Sequence, residues 1–367
     1  MARSALYIGL MSGTSIDGVD AVLADFSPAV PRIVAQASLC MPPALRQEFL
    51  ALNQPGDNEL ARAALAGNEL SRLYAKACHQ LLDEAGAAPE DIAAIGAHGQ
   101  TVRHAPAQGY TLQLNAPALL AELTGIAVIA DFRTRDVAAG GQGAPLVPGF
   151  HQAVFSGRQP RAVLNLGGMG NVTLLNPGRD VRGFDTGPAN VLLDLWCKKH
   201  TGRDYDDMGG WAAGGQRIPA LLDALLDEPW LALPPPKSTG RDLFNESWLN
   251  QKLAPFAAMA PSARDVQATL QSFTVNTVAR AIETWAPETR DMLVCGGGAK
   301  NSGLLSELEH ALQRPVRSTA DAGIAPQLVE ALAFAWLAWA YEHGLPAGLP
   351  SVTGARHPSV LGCKYPA

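Results

Sequence analysis

The chain has 367 residues, which is enough for two or three domains. Hydrophobic residues make up 47% of it and charged residues 17%, a composition that is typical of a compact globular enzyme and excludes a disordered chain. The formal net charge is −6, and no run of lysine and arginine offers the basic cluster that neutralising nucleic-acid phosphates requires. Nucleic acid is therefore not an expected partner.

Cysteine usage and the apolar segments predict where the protein works. The five cysteines are odd in number and include no C-x-x-C pair, which predicts reduced thiols and a cytoplasmic protein. The apolar run after Arg3 stops at Met11, so we interpret it as a first strand and not as a signal peptide. The longest apolar stretch, Ala331–Ala340, is too short to cross a bilayer. No membrane partner is expected, and the histidines are not spaced as metal ligands.

The first predicted element is a β-hairpin with a polar turn. Apolar runs at Leu6–Leu10 and Ala21–Leu23 flank the sequence Met11-Ser-Gly-Thr-Ser-Ile-Asp-Gly18. Free N–H groups, hydroxyls and glycines that admit close approach to the main chain allow such a turn to hold phosphate oxygens. When this turn is considered alone, an ordinary hairpin turn is as good an interpretation as a phosphate-binding turn.

Strands and helices then alternate, which predicts an α/β domain with a mixed sheet. The predicted elements are strands at Arg32–Met41, Ile92–Ala97, Thr111–Leu114 and Ala127–Asp131, and helices at Ala44–Leu52, about Glu59–Glu84 and Pro117–Leu123. Polar clusters follow the strands at His98–Thr101, Asp131–Arg133 and Gly140–Pro145. Each cluster alone has a structural explanation, but together they favour a pocket for a hydroxylated ligand.

Glycine-rich turns recur twice in the second half. Residues 163–175 repeat the hairpin design, whereas residues 293–301 form a predicted strand, the glycines Gly296–Gly298 and the start of a helix. A strand–glycines–helix segment lets the backbone lie flat against a ring or a phosphate. The order of the three segments resembles the two phosphate motifs and the adenosine motif of the sugar kinase, hexokinase and actin superfamily. No Gly-Lys-Ser/Thr occurs, so a P-loop is excluded.

Asp185 is the candidate general base. It is predicted to end a strand just before a helix that starts near Pro188, and α/β proteins place ligands at such strand ends. Its carboxylate is suited to take a proton from a hydroxyl or from water, while a helix N-cap is the alternative role. Glu330 opens the late apolar helix, where a site role and a favourable interaction with the helix dipole are both open. Pro234–Gly240 is predicted to be an exposed loop, mobile over a cleft.

These segments together resemble the anhydro-N-acetylmuramic acid kinase family, nearly from end to end. The resemblance is carried by Met11-Ser-Gly-Thr-Ser-Ile-Asp-Gly18, His98-Gly-Gln-Thr101, Asp131-Phe-Arg133, Gly140-Gly-Gln-Gly-Ala-Pro145, Asn165-Leu-Gly-Gly-Met-Gly-Asn171, Phe184-Asp-Thr-Gly187, Cys295-Gly-Gly-Gly298, Glu330-Ala-Leu-Ala-Phe-Ala-Trp336 and Leu349-Pro-Ser-Val-Thr-Gly354. It implies an α/β fold with two ribonuclease-H-like lobes, whose mixed β-sheets are flanked by helices as in actin and hexokinase, with ATP in the cleft between the lobes. The expected lobes are residues 1–135 with roughly 350–367, and residues 136–349.

The resemblance also implies a reaction. ATP, Mg²⁺ and water would convert 1,6-anhydro-N-acetylmuramic acid to N-acetylmuramic acid 6-phosphate and ADP, in peptidoglycan recycling by a cytoplasmic homodimer. Asp185 would activate water for attack at C1, and O6 of the opened bridge would take the γ-phosphoryl group. The implied ATP-binding residues are Gly13, Thr14, Ser15, Ile16, Asp17, Gly18, Val19, Asp20, Gly167, Gly168, Asn171, Gly296, Gly297 and Gly298. The implied sugar-binding residues are His98, Gln100, Thr101, Arg133 and Glu330, with Arg133 pairing with the lactyl carboxylate.

Some positions depart from the pattern of the wider superfamily. Many of its kinases have an aspartate where this chain has Met11, which leaves Asp17, Asp185 or mainly water to hold Mg²⁺. Many relatives have the sequence Gly-Asp-Pro where this chain has Asn115-Ala-Pro117. This chain therefore lacks that aspartate and any role that it has in the relatives. Two alternatives stay open: a sugar or carboxylate kinase of the same fold with another acceptor, and an ATP-driven polymerising protein of the actin type.

Overall fold

The computed structural model describes residues 4–13 and 15–367. The strands in chain order are β1 (Leu6–Met11), β2 (Gly18–Asp25), β3 (Arg32–Cys40), β4 (Ile92–Ala97), β5 (Gln100–Ala105), β6 (Tyr110–Leu114), β7 (Val128–Ala130), β8 (Arg161–Leu166), β9 (Met169–Leu175), β10 (Arg182–Pro188), β11 (Asp291–Cys295), β12 (Val316–Ser318) and β13 (Cys363–Tyr365). The α-helices are α1 (Pro43–Leu52), α2 (Glu59–Ala85), α3 (Pro117–Thr124), α4 (Thr134–Ala138), α5 (Val147–Phe155), α6 (Asn190–Thr201), α7 (Pro219–Leu226), α8 (Glu246–Leu253), α9 (Ala263–Trp285), α10 (Ser302–Leu312), α11 (Val329–Glu342) and α12 (Pro350–Thr353).

The chain divides into two compact units, each built on its own sheet. The first unit is Met1–Val154 with Leu328–Ala367, and the second is Phe155–Gln327. The first sheet has the order β13-β7-β4-β1-β2-β3, in which β1 to β3 are antiparallel and β4 and β7 run parallel to β1. The second has the order β10-β9-β8-β11-β12, in which β8 to β10 are antiparallel and β11 and β12 run parallel to β8.

The two sheets therefore share one plan, an antiparallel meander followed by parallel strands on its other side. Helices cover the apolar residues of each sheet, with α1 and α2 packing on the first and α9 and α10 on the second. The predicted α/β fold with mixed sheets flanked by helices is confirmed. Among the described residues, no helix has both the length and the apolar character that a membrane span needs.

In the first unit, α11 packs directly on the backbone of the sheet. A Cβ atom added to Gly9 of β1 would lie 1.9 Å from the carbonyl oxygen of Ala331, and one added to Gly96 of β4 would lie 2.0 Å from that of Phe334. Only glycine permits this approach. The contact fixes the first turn of α11, which carries Glu330, in the first unit.

The boundary between the units differs from the predicted one. The prediction places residues 136–154 and 328–349 in the second lobe, whereas they belong to the first unit. Asp136 accounts for the earlier segment, because its buried carboxylate accepts hydrogen bonds from the Gly143 N–H (2.7 Å) and the Thr353 hydroxyl (2.7 Å). The packing of α11 on Gly9 and Gly96 accounts for the later one.

One local prediction is wrong. β10 does not end at Asp185 but continues to Pro188, and α6 begins only at Asn190. The strand passes Asp185 through a bulge before Gly187, whose φ of 141° is favoured by glycine. In the polar cluster after β4, strand β5 begins at Gln100 and pairs with β6.

Candidate active site

The turn after β1 is shaped by a buried side chain. Ile16 has a φ of 54°, a left-handed conformation that β-branched residues rarely adopt. Its side chain is buried in the core of the first unit, and its N–H donates to the Gly13 carbonyl (3.1 Å). Because core packing holds a strained backbone, the turn is expected to keep one shape. Thr14, a predicted phosphate contact, lies outside the described residues.

Three other predicted residues of this turn leave room for a ligand. Among the described residues, the one atom within 4 Å of a Cβ atom added to Gly13 would be the Ser15 Oγ, at 3.8 Å. Ser15 and Asp17 are exposed, and the Ser15 hydroxyl donates to Asp17 Oδ1 (2.7 Å). Main chain, hydroxyl and carboxylate are thus accessible at one turn.

The last three predicted phosphate residues of the first hairpin belong to β2. A Cβ atom on Gly18 would lie 2.5 Å from the Leu39 carbonyl oxygen, so this glycine serves the close pairing of β2 with β3. Val19 is buried in the core, and Asp20 accepts a hydrogen bond from the Ser38 hydroxyl (2.6 Å). Gly18 and Val19 thus serve the packing of the sheet, and the hydrogen bond from Ser38 joins Asp20 to β3.

His98 and Gln100 hold the backbone of the same turn. The buried Gln100 accepts a hydrogen bond from the Ser12 hydroxyl (2.6 Å) and donates one to the Gly13 carbonyl (3.2 Å). His98 Nδ1 donates to the Ser12 carbonyl (3.3 Å), the tautomer that follows because its Nε2 accepts from Arg133. Both polar ends of Gln100 are therefore used in shaping the turn.

Arg133 is a cation whose hydrogen-bond partners are neutral. Its Nε and Nη2 donate to His98 Nε2 (3.1 and 2.9 Å), and its Nη1 donates to the Gly143 carbonyl (2.8 Å). Burial lowers the pKa of Arg133 to about 10 despite the charges of Glu330 and Asp136, and burial lowers the pKa of His98 to about 3. Arg133 is thus charged and His98 neutral near pH 7. Within residues 4–13 and 15–367, three of the five guanidinium N–H groups have an acceptor, which leaves one N–H on each terminal nitrogen for a ligand.

Residues from α11 and β5 lie at the same corner of the first unit. The Phe334 ring packs on His98, with ring centroids 4.8 Å apart. Glu330 is half-buried, and its charge acts on Arg133. The Thr101 hydroxyl accepts a hydrogen bond from a glutamine of β6 (3.2 Å). The structure therefore brings His98, Arg133 and Glu330 together from three distant segments.

In the second unit, the β8–β9 turn is bonded to the start of α6. The carbonyls of Gly167 and Gly168 accept hydrogen bonds from N–H groups of residues 189–191, at 2.9 to 3.1 Å. A Cβ atom on either glycine would meet nothing closer than 3.6 Å, so this turn is open to a ligand. Asn171 is half-buried on β9, directly across from Asp185 on β10.

The three glycines after β11 have different surroundings. A Cβ atom on Gly296 would lie 2.3 Å from Asn165 Oδ1, and one on Gly298 would lie 2.6 Å from Leu166 Cβ. These two glycines allow close packing on β8. A Cβ atom on Gly297 would meet an amide nitrogen at 3.8 Å and nothing nearer, which leaves its backbone open to close approach.

Asp185 lies at the bulge of β10 with one carboxylate oxygen occupied. Its N–H donates to the Lys237 carbonyl (3.0 Å), and its Oδ2 accepts from the Thr239 N–H (2.9 Å) and the Ser238 hydroxyl (3.0 Å). No group within residues 4–13 and 15–367 donates to Oδ1. Burial raises the pKa of Asp185, against the lowering by these hydrogen bonds and by the Lys237 charge. A carboxylate with one free oxygen and a raised pKa is suited to accept a proton.

The segment Lys237–Thr239 is the part of this arrangement that sequence reasoning missed. Its residues lie in the predicted mobile loop, whereas the structure pairs them with β10 at Asp185. A signal was present, because Lys-Ser-Thr-Gly240 combines hydroxyls, a cation and a glycine, the residue types of a ligand-holding turn.

The described residues offer few ligands for a metal ion. No group of three His, Cys, Asp or Glu side chains in the described ranges is arranged to hold one. Mg²⁺ that accompanies a nucleotide needs only one or two carboxylates, besides phosphates and water. The exposed carboxylate of Asp17, with one oxygen bonded to Ser15, fits that limited role.

Comparison with known proteins identifies the family. A family model described as anhydro-N-acetylmuramic acid kinase matches residues 5–367. The chain belongs to the anhydro-N-acetylmuramic acid kinase family. The anhydro-N-acetylmuramic acid kinase of Bordetella pertussis is 66% identical over 363 residues, covering 99% of this chain and 96% of the relative. That of Burkholderia cenocepacia is 54% identical over 369 residues, covering 98% of this chain and 96% of the relative.

A solved structure shares the fold of this anhydro-N-acetylmuramic acid kinase family member. Component A of the (R)-2-hydroxyglutaryl-CoA dehydratase from Acidaminococcus fermentans aligns with a TM-score of 0.51 at 15% identity, covering 90% of this chain and 96% of that chain. This likeness concerns the fold alone. The family that the sequence motifs predict is confirmed, and the chain is a sugar kinase.

Proposed function

We propose that this chain is an ATP-dependent kinase that hydrolytically opens 1,6-anhydro-N-acetylmuramic acid and phosphorylates O6, giving N-acetylmuramic acid 6-phosphate and ADP. The match of residues 5–367 to the family model supports the substrate. The observation that carries the chemistry is Asp185, a half-buried carboxylate with one oxygen held and the other free.

In the proposed reaction, Asp185 takes a proton from water. The water oxygen forms a bond to C1 of the sugar as the C1–O6 bond of the anhydro bridge breaks. O6 then bonds to the γ-phosphorus of ATP, and ADP leaves. Ring opening thereby creates the oxygen that accepts the phosphoryl group, and Asp185 returns its proton to solvent. A raised pKa keeps the carboxyl a better proton acceptor than an ordinary aspartate.

Phosphoryl transfer mainly requires positioning and charge stabilisation. We assign ATP binding to the open backbone and hydroxyl groups of the glycine turns. The proposed contacts are Gly13, Thr14, Ser15, Asp17, Gly167, Gly168, Asn171 and Gly297, with Ile16, Gly18, Val19, Asp20, Gly296 and Gly298 shaping those turns. Mg²⁺ neutralises phosphate charge when bound, and Asp17 would hold it.

Sugar recognition is assigned to the corner of the first unit around Arg133. Its two unused N–H groups, one on each terminal nitrogen, match the two oxygens of the lactyl carboxylate. Thr101 and Glu330 would bind sugar hydroxyl or amide groups, while His98 and Gln100 hold the geometry. The family supports a role in peptidoglycan recycling by a cytoplasmic homodimer.

A panel of acceptors tests this proposal. The purified chain with ATP and Mg²⁺ is offered the anhydro sugar, glucose and N-acetylglucosamine, and ADP release and sugar phosphate are measured. Only the anhydro sugar should yield both products in equal amounts. Phosphorylation of glucose or N-acetylglucosamine without activity on the anhydro sugar would reject the substrate. Sugar-independent ATP hydrolysis with assembly would favour the polymerising alternative.

A further inference from the structure

The segment that holds Asp185 is anchored to a tryptophan. The Lys237 ammonium donates to the Leu231 carbonyl (2.8 Å) and lies 4.4 Å from the centroid of the Trp230 ring. Trp230 Nε1 donates to the Ser238 carbonyl (3.2 Å). One indole therefore contacts two successive residues of the segment, through its ring face and through its N–H.

Trp230 is in turn fixed by its own surroundings. Its backbone N–H donates to Glu228 Oε1 (3.5 Å), and Glu228 Oε2 accepts a hydrogen bond from Trp248 Nε1 (2.8 Å). The Trp230 ring meets the fully buried Phe244 edge-on, with centroids 5.9 Å apart. The indole is thus packed on the hydrophobic core beside the segment and provides a rigid support for it.

We propose that Trp230 and Ser238 are positioning residues for Asp185. Trp230 holds the segment Lys237–Thr239 in place, and the segment confines Oδ2, so that Oδ1 alone meets the reacting water. This inference rests on the proposed function, in which Asp185 is the base. Neither Trp230 nor Ser238 exchanges a proton with the substrate.

The segment Lys237–Thr239 lowers the pKa of Asp185. Burial raises the pKa of Asp185, and the segment lowers it through two hydrogen bonds and the Lys237 charge. The neutral Asn171 of β9 lies across from Asp185, and the charge that acts on Asp185 is that of Lys237. Arg280 of α9 lines the same cavity as Thr186 and Lys237. Losing these hydrogen bonds while Asp185 stays buried raises its pKa further.

Two substitutions test the proposal in the full-length enzyme with ATP, Mg²⁺ and the anhydro sugar. Trp230→Phe keeps an aromatic ring but removes the indole N–H, and Ser238→Ala removes the hydroxyl. For both we expect kcat to fall about ten-fold through misplacement of the base, with the KM for ATP changed by less than about two-fold. The acidic limb of the kcat profile should move to higher pH. Ser238→Thr, which keeps a hydroxyl, should restore both quantities.

Trp196→Phe is the matched control. Trp196 lies in the same hydrophobic cluster, and its Nε1 donates to the Ala263 carbonyl (2.7 Å). This variant loses an equivalent indole hydrogen bond away from the segment. It should keep the wild-type kcat and pH profile. A loss equal to that of Trp230→Phe would mean that general destabilisation explains both, and would overturn the positioning role.

A titration without turnover separates this inference from the proposed function. The Asp185 carboxyl is followed by ¹³C NMR, with its signal assigned by its loss in Asp185→Asn. Its midpoint should move to higher pH in Trp230→Phe and Ser238→Ala. An unchanged midpoint overturns the positioning role whatever the reaction is. Normal turnover of Asp185→Asn would instead refute the proposed function and leave the NMR result standing.

Discussion

The two units hold their candidate site charges in opposite ways. In the first unit, the cation Arg133 donates hydrogen bonds to neutral acceptors, and in the second unit, the anion Asp185 accepts hydrogen bonds from neutral donors. Arg133 donates to an imidazole and to a backbone carbonyl. Asp185 accepts from a backbone N–H and from a hydroxyl. In the part of the chain that the structure describes, neither group is hydrogen-bonded to an opposite charge. Each therefore keeps bonding capacity for a ligand, Arg133 on its terminal nitrogens and Asp185 on Oδ1.

The two units differ in how they respond to protons. The partner of Arg133, His98, has a pKa lowered to about 3 by burial, so the cation site does not titrate near neutral pH. Asp185 has a raised pKa and changes charge closer to the working range. Under the proposed function, the first unit would recognise the sugar without dependence on pH near neutrality, and the second would transfer a proton.

We expect the largest loss of activity from a substitution of Asp185. In Asp185→Asn, kcat should fall about 10²- to 10⁴-fold, because an amide cannot take the proton from water. The amide oxygen can still accept from Ser238 and Thr239, so ATP affinity measured by calorimetry should stay within about two-fold of wild type. Near-normal turnover would falsify the role of Asp185 as the base.

We expect the second largest loss of activity from a substitution of Arg133. In Arg133→Gln, kcat/KM for the anhydro sugar should fall about 10- to 100-fold, mainly through KM, because hydrogen bonds to ionised groups contribute about 1.5–3 kcal/mol. Steady-state kinetics measure this. Arg103→Gln, which breaks a pair with Glu59 in the same unit, is the control and should have little effect. An equal loss with 1,6-anhydro-N-acetylglucosamine, which lacks the lactyl carboxylate, would contradict the assigned contact.

A smaller effect shows whether Gln100 of the first unit positions the turn after β1 or contacts the sugar directly. Gln100→Ala removes the acceptor of the Ser12 hydroxyl and one of the two donors to the Gly13 carbonyl, which keeps its bond from the Ile16 N–H, and this loosens the turn. We expect the Kd of ATP to rise about ten-fold, with a smaller change in sugar affinity. Calorimetric titration with each ligand separates the two. If only sugar affinity falls, Gln100 contacts the sugar and does not act through the turn.

The smallest expected change is that of sugar affinity with pH. Sugar binding to Asp185→Asn should be flat between about pH 5.5 and 8, because His98 stays neutral and Arg133 stays charged. In the wild-type enzyme, kcat should fall as pH drops through the raised pKa of Asp185, since the base must be ionised. A midpoint near pH 6.5 in sugar affinity would show that His98 titrates and that the two units do not differ as described.

The sequence predicted the elements whose signals are local. Hairpins around the two polar turns and the strand before Gly296 follow from apolar runs and glycines, and the structure has them. The sequence places Asp185 at a strand end because Pro188 is typical of a helix start, but β10 continues through a bulge to Pro188. Bulges depend on pairing with a neighbouring strand, and one strand's sequence does not show this.

Long-range contacts set the limit of sequence reasoning at the site. Ser238 meets Asp185 across 53 positions, and Thr353 meets Asp136 across 217. Such contacts depend on how whole elements pack, for example on α11 lying against Gly9. The residue types of the site were therefore predictable from motifs, whereas the support of Asp185 by Lys237–Thr239 was not.

Oxygen isotope labelling tests the central claim most directly. The enzyme is incubated briefly with ATP, Mg²⁺ and 1,6-anhydro-N-acetylmuramic acid in ¹⁸O-water, and the label is located by mass spectrometry. N-acetylmuramic acid 6-phosphate kept in the same water corrects for exchange at the reducing end. We expect one ¹⁸O at C1 and none in the phosphoryl group, because water attacks C1 in the proposed reaction. Label in the phosphate, or a sugar phosphate with unlabelled C1, would contradict it.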